Sequence, residues 1–303
     1  MRIKIQRSSD PGDWEKVNPN FIYNRFDLFC SAGEFETVRI LNGNATKVLE
    51  YRITGDQAEL GLWLVPITKE ELERVICFIA KNHPNVKKIT YKNGVLPYGN
   101  AKAHNHFRIV FPETREEMMS RISSKSRSKL RKKIKAAEDA YGKMTISEYD
   151  RSNLPVDIVD TFFKFKYETR NRKYNMTALA YLDRYHVSNC YVIRFGDTVG
   201  AIRFSCEQCP VVYGENFTYN PELKDYSLGR AVFIYHLIRM VEKKHTEMFF
   251  AGGDYEYKRH YGSIEETLYD CEIKVSDFSK LIAQESLLGR CKQLLKKLLR
   301  RKP

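Results

Sequence analysis

The sequence predicts an α+β protein of two tandem domains, each a mixed, mainly antiparallel sheet flanked by helices. Three observations carry this. An order of three strand-like runs, an amphipathic helix and one more strand occurs twice, over residues 36–91 and again after residue 190. The apolar period changes from helical to two at Cys190, where hairpin signals begin. At 303 residues the chain is long enough for two domains with a core each.

In the first half, residues 36–41 are strand-like and end at the turn signal Asn42-Gly43-Asn44. Strands are expected over 45–54 and 58–65, with Gly55-Asp56 between them. Thr68 is a plausible helix cap, with Glu70 and Glu71 in the first turn. Leu72, Val75, Ile76, Ile79 and Ala80 then form a helical stripe, and 86–91 reads as a strand. Residues 113–140 lack Gly and Pro and read as one helix linking the halves, stopped at Gly142.

Pro155 opens a helix carrying Ile158, Val159, Phe162, Phe163 and Phe165, and residues 178–186 read as a shorter one. Residues 191–195 and 199–206 make a hairpin around Gly196-Asp197, and 211–219 is a third strand ended by Asn220-Pro221. A helix follows Ser227, with Val232, Ile234, Tyr235, Leu237, Ile238 and Val241 as its apolar run. Residues 247–250 are a short strand, and a last helix starts near Ser279. The domains divide as 1–112, 113–277 and a basic C-terminal helix over 278–303.

Hydrophobic residues at 43% and charged residues at 29% describe a soluble globular chain. No apolar run approaches the roughly 20 residues that cross a bilayer. The opening Met-Arg-Ile-Lys-Ile-Gln-Arg lacks the apolar stretch of a secretory signal, so a cytoplasmic location is expected. Seven scattered cysteines suit a reducing compartment. Cys206 and Cys209 form the one close pair, and zinc would need two further ligands such as His104 and His106, so no metal is expected.

The net charge of +13 is concentrated. Residues 125–135 hold seven Lys or Arg and no acid, and residues 290–302 hold seven more. Setting those aside leaves 37 basic against 38 acidic residues, so two segments set the electrostatics.

The chemistry gathers at Ser227-Leu228-Gly229-Arg230-Ala231, where a turn feeds directly into a helix. Backbone N–H groups at a helix start, backed by the helix dipole, can hold a diphosphate. Gly229 would let the backbone approach a phosphate closely and Arg230 could add a charge-assisted contact, although the same spacing also suits an ordinary turn.

Together with the order of elements, this turn resembles the GNAT acyltransferases. Their diphosphate loop reads Arg/Gln-x-x-Gly-x-Gly/Ala; this chain has Tyr226 at the first place and keeps Gly229 and Ala231. The FemAB/CelD-like branch is the nearer likeness, through Tyr219-Asn220-Pro221, Ser227-Leu228-Gly229 and Gly253-Asp254-Tyr255-Glu256-Tyr257-Lys258. The basic helix with Arg131-Lys132-Lys133 also resembles one that precedes the domain in that branch. The resemblance covers about residues 120–275 and implies two tandem GNAT-like domains, the first degenerate because Val65-Pro66-Ile67-Thr68 stands where a glycine turn would be.

The resemblance further implies acetyl-CoA or another acyl-CoA as co-substrate. It implies an amine-bearing acceptor, such as an amino sugar of a cell-envelope glycan. A backbone N–H from residues 213–219 would meet the thioester carbonyl. Glu215, among aromatic residues, is the candidate base, because an apolar setting raises a carboxyl pKa; the alternatives are a solvated glutamate or one paired with Arg203. Tyr257 is the candidate proton donor to the leaving thiolate, with a packed core tyrosine as the alternative. Asp254 is either functional or a turn cap. Lys258 would meet coenzyme phosphates or Asp254, or else lie solvated at the surface. The C-terminal helix suits peripheral contact with an anionic membrane, at the inner face, or packing on the domain. Two other functions compete: a FemAB-like aminoacyltransferase, with tRNA phosphates on residues 125–135, and a nucleic-acid-binding protein without catalysis.

Overall fold

A computed structural model of the chain describes residues 3–8, 35–42, 45–62, 65–171, 173–185, 187–207, 210–250 and 256–280. It divides into two compact units, residues 1–104 with 267–303 and residues 105–266. Both divisions fall inside strands, whereas the sequence placed them in the segments just beyond.

Unit 1 contains β1 (Lys4–Ser8), β2 (Phe35–Asn42), β3 (Ala45–Thr54), β4 (Gln57–Leu60), helix α1 (Lys69–Asn82) and β5 (Lys88–Gly94). Strands β1 to β4 pair antiparallel in succession, and β5 lies parallel to β4 with Gln57 opposite Lys88 and Leu60 opposite Tyr91. Helix α1 is the crossover that a parallel neighbour requires. Leu72, Val75, Ile76 and Ile79 are buried, and the helix packs through them on Val38, Ile40, Leu49 and Ile89. The sixth strand, β12 (Ser263–Lys274), comes from the far end of the chain and pairs antiparallel with β5.

Unit 2 receives the chain through β6 (Asn100–Val110). Helices α2 (Arg115–Ser120) and α3 (Ser124–Tyr141) follow. The single helix expected over 113–140 is therefore two, because Ser123 adopts an extended backbone and its hydroxyl accepts from the Ser126 N–H, starting a new helix. Next come β7 (Met144–Asp150), α4 (Val156–Arg170), α5 (Ala178–Arg184), β8 (Asn189–Phe195), β9 (Thr198–Cys206), β10 (Val211–Tyr219), α6 (Leu228–Glu242) and β11 (Glu247–Phe250).

The strand order in unit 2 is β6-β11-β10-β9-β8-β7, antiparallel except for the parallel pair β10/β11 across α6. This is the connectivity of unit 1 repeated: a meander, a crossover helix and a parallel strand, with a sixth strand from elsewhere in the chain. The sheet has a core on each face. Tyr191, Ile193 and Phe195 of β8 join the core under α3 and α6, while Cys190 and Val192 join the one under α4 and α5. Burial on both faces explains why β8 reads as a nearly unbroken apolar run.

The C-terminal segment from 281, including the basic helix, lies outside the described residues. Among the described residues, no helix is long and apolar enough to cross a membrane.

Candidate functional site

The site is built where β10 leaves its neighbour. Strand β10 runs beside β11 only from Val211 opposite Glu247 to Gly214 opposite Phe250. It then continues to Tyr219 with β9 alone among the described residues. Gly214 faces Ser205 and Phe217 faces Arg203, so three steps on β10 oppose two on β9. The extra residue is a β-bulge at 215–216, which kinks the strand and frees backbone groups from the ladder. Gly214 permits this: a Cβ there would lie 3.1 Å from Arg203 Nη2 and 3.3 Å from the Phe249 carbonyl oxygen. Asn216 donates to the Tyr181 hydroxyl at 3.0 Å, tying the bulge to α5.

The turn after β10 is set by Asn220. Its side chain donates to the Val199 carbonyl at 3.2 Å and accepts from the Glu222 N–H at 3.0 Å, shaping the 3₁₀ turn Pro221–Tyr226. Ser227 then adopts the left-handed conformation, φ 58° and ψ 35°, which is uncommon for a residue with a side chain. The amides of Arg230 and Ala231 donate back to the Ser227 carbonyl at 3.0 and 3.1 Å. Among the described residues, the amides of Leu228 and Gly229 have no acceptor, and Ser227 makes no side-chain cap. Lys133 of α3 reaches this turn, donating to the Asp225 carbonyl at 2.6 Å and to Ser227 Oγ at 3.1 Å. The start of α6 thus offers free donors beside a cation.

The corresponding helix of unit 1 is closed. Thr68 and Glu71 make a reciprocal capping box. The buried Glu71 carboxylate also accepts from Lys47 at 2.7 Å and Asn42 at 3.1 Å. An internal anion already occupies that helix start, so unit 2 alone presents an open one among the described residues.

A cavity of about 330 Å³ adjoins the open turn, lined by Phe217, Gly229, Arg230, Phe233, Glu256, His260 and Tyr261. A Cβ on Gly229 would lie 2.9 Å from Phe217 Cε2, so the close approach of the ring to the helix needs glycine. Tyr261 sits at φ 68°, where a bulky residue is strained, and its ring meets Phe233 edge-on at 5.1 Å. Burial pushes its hydroxyl pKa up, and the hydrogen-bonded Arg230 guanidinium opposes this. The Arg230 Nε–H is buried with no acceptor among the described residues, a state that costs about 1–3 kcal/mol in a protein interior.

Behind the cavity wall, Arg203 donates to His236 Nδ1 at 2.9 Å, and its guanidinium lies 4.8 Å from the Phe233 ring centre. This acceptor role leaves the His236 proton on Nε2, which faces Glu207 at 3.3 Å. Burial, then the Arg203 charge, pulls His236 down to about 4, so it is neutral at pH 7. Burial pushes the Glu207 carboxyl up, but hydrogen bonds from His236, Ser205 and Tyr191 outweigh it and leave the pKa lowered. Lys243 donates to the other Glu207 oxygen at 3.0 Å. His236 is a satisfied core residue that backs the cavity.

Of the residues expected to bind a coenzyme, Ser227, Leu228, Gly229, Arg230 and Ala231 come together at the start of α6, and Gly229 and Arg230 line the cavity. Lys258 is buried, with its ammonium 5.8 Å from the Phe250 ring centre, and is neither solvated nor a lining residue. Glu215 lies in the bulge of β10; its side chain, that of Tyr257 and all of Asp254 lie outside the described residues. Cys209 does too. Phe217, Phe233 and Tyr261 escaped the sequence reading as site residues, and Lys133 was seen only as part of a basic run. Gly262 after Tyr261 was the one available local signal, since a glycine commonly marks a tight turn.

Residues 124–259 match the family described as the Acetyltransferase (GNAT) domain. No curated relative matches the chain in sequence. Among solved structures, FemX is similar with a TM-score of 0.65 at 8% identity, over 93% of this chain and 100% of that one. The structure of L-PGS from Bacillus licheniformis is similar at 0.53 and 12%, over 88% and 92% of the two chains. A conserved protein of unknown function from Bacteroides thetaiotaomicron VPI-5482 is similar at 0.50 and 11%, over 88% and 99%. At these identities the likeness shows a shared fold. Residues 124–259 therefore carry a domain of the Acetyltransferase (GNAT) family.

Proposed function

We propose that unit 2 moves an acyl group from an acyl-CoA thioester, acetyl-CoA in the simplest case, onto the nitrogen of an amine acceptor. The observation that carries this reading is the open start of α6, with its unbonded Leu228 and Gly229 amides, beside an aromatic cavity of about 330 Å³. The diphosphate of the coenzyme sits on those amides and on Lys133, where a helix N-terminus favours negative charge. The pantetheine arm runs past Gly229 into the aromatic cavity, toward the bulge of β10.

In the reaction the amine nitrogen bonds to the thioester carbon, the carbonyl oxygen gains charge, and the carbon–sulfur bond then breaks. A backbone N–H released by the bulge at 215–216 stabilises the oxyanion. Glu215, carried in the bulge, takes the amine proton. A tyrosine returns a proton to the thiolate. Tyr257 is the sequence candidate, and Tyr261, whose ring lines the cavity, joins it. The reading is tested by following free thiol release from acetyl-CoA with a panel of amines, amino sugars included. Acceptor-dependent release that disappears in Gly229→Val supports it; coenzyme binding without turnover on any amine counts against it.

A further inference from the structure

The basic run of α3 has a charge order that works against its own helix. Lys125, Arg127 and Lys129 lie in the first half, and Glu138 and Asp139 lie in the last turns. The helix dipole favours the reverse, and like charges one turn apart repel. Lys125, Lys129 and Lys132 stand at i, i+4 and i+7, forming one exposed row. Among the described residues none of the three meets a carboxylate. Lys133 follows Lys129 by one turn, about 6 Å along the axis. Its ammonium is held on the α6 turn by neutral acceptors only, the Asp225 carbonyl and Ser227 Oγ. A cation fixed in place without a counter-ion, beside a row of exposed cations that meet no carboxylate among the described residues, is suited to receive anions from a ligand.

We infer that α3 is the second wall of the donor site. Lys133 is a positioning residue that holds Ser227 in its left-handed conformation and adds charge at the diphosphate. Lys129 and Lys132, next along the row, receive a further phosphate monoester of the donor. For a coenzyme A thioester that group is the 3′-phosphate. This rests on the acyl-CoA reading above and extends it to a preference between donors that differ by one phosphate.

The test is calorimetric titration of the full chain with coenzyme A and with 3′-dephospho-coenzyme A, repeated on Lys133→Met and on the double variant Lys129→Gln/Lys132→Gln. Wild-type protein is expected to bind coenzyme A roughly 5- to 10-fold more tightly, the size of one or two exposed ion pairs, and less so at high salt. The double variant should lose that preference and keep its affinity for the dephospho compound. Lys133→Met should weaken both ligands alike, with Lys133→Arg restoring much of the binding. Equal binding of the two ligands by wild-type protein, or a double variant that keeps the preference, overturns the inference. Wild-type protein that binds neither ligand is a different result: it sinks the donor reading itself. The wild-type comparison needs no variant, so a folding defect cannot mask the answer.

Discussion

Placing a methyl group on Gly229 separates binding from folding. A Cβ there would stand 2.9 Å from Phe217 Cε2, 3.3 Å from Phe217 Cδ2 and 3.5 Å from Tyr219 Cδ1. The first distance is below any ordinary contact, so the Phe217 ring must swing away, and the cavity it lines is the open space beside it. Overpacking costs about 1–3 kcal/mol, while replacing glycine by alanine inside a helix returns up to about 1 kcal/mol. Gly229→Ala should therefore lose no more than about 2 kcal/mol of stability, a few degrees in melting temperature. Coenzyme A affinity should fall at least about tenfold, because the methyl and the displaced ring both enter the donor's path. Adding Phe217→Leu relieves the contact, and the double variant should bind more tightly than Gly229→Ala alone. Melts and calorimetric titrations on the four proteins decide the matter. Unchanged affinity in Gly229→Ala would refute the reasoning, as would a double variant no better than the single.

Other consequences follow from the two units. His236 is held at about 4 against an ordinary 6.5, so between those values the unfolded chain takes up a proton that the folded chain does not. Its contribution to stability is complete above about pH 6.5 and drains away as the pH falls to about 4, by up to roughly 3 kcal/mol; urea melts of His236→Gln should show a flatter slope across that window. Glu71→Ala removes a capping box and leaves Lys47 and Asn42 without their shared acceptor, so it should cost about 2–4 kcal/mol in denaturant melts yet leave coenzyme A affinity unchanged. An affinity loss there would place donor contacts in unit 1. Tyr261→Phe keeps the ring and the backbone turn but removes the hydroxyl partner of Arg230. It should lower kcat more than it raises KM, by roughly tenfold or more if the hydroxyl supplies the proton; an unchanged kcat returns that role to Tyr257.

What the sequence made visible follows burial. The β8–β9 hairpin, β10 and α6 are rich in apolar residues because they are largely buried, and each was placed from the residues alone. Strands β6 and β12 were not foreseen. The first five residues of β6, Asn100 to His104, have exposed or half-exposed side chains, and the first five of β12, Ser263 to Thr267, do too; the alternation of β12 is confined to Tyr269–Lys274, too short a run to mark the whole strand. Strand β7 is half-exposed along most of its length and was missed for the same reason. In the site, Gly229 and Arg230 were legible because a glycine before a helical run has a local meaning. Phe217 and Lys133 act through contacts with elements 12 and 94 residues away in sequence, and no local pattern encodes such contacts. Glu71 gave a capping signal, but its pairing with Lys47 across unit 1 appears only in three dimensions.

The account stands on the start of α6 as a diphosphate site, and a crystal structure of the protein with coenzyme A tests that most directly. It should place diphosphate oxygens about 3 Å from the amides of Leu228 and Gly229, with the pantetheine arm between Phe217 and Tyr261. Coenzyme A bound elsewhere on the chain, with those two amides still unoccupied and the aromatic cavity empty, would contradict it.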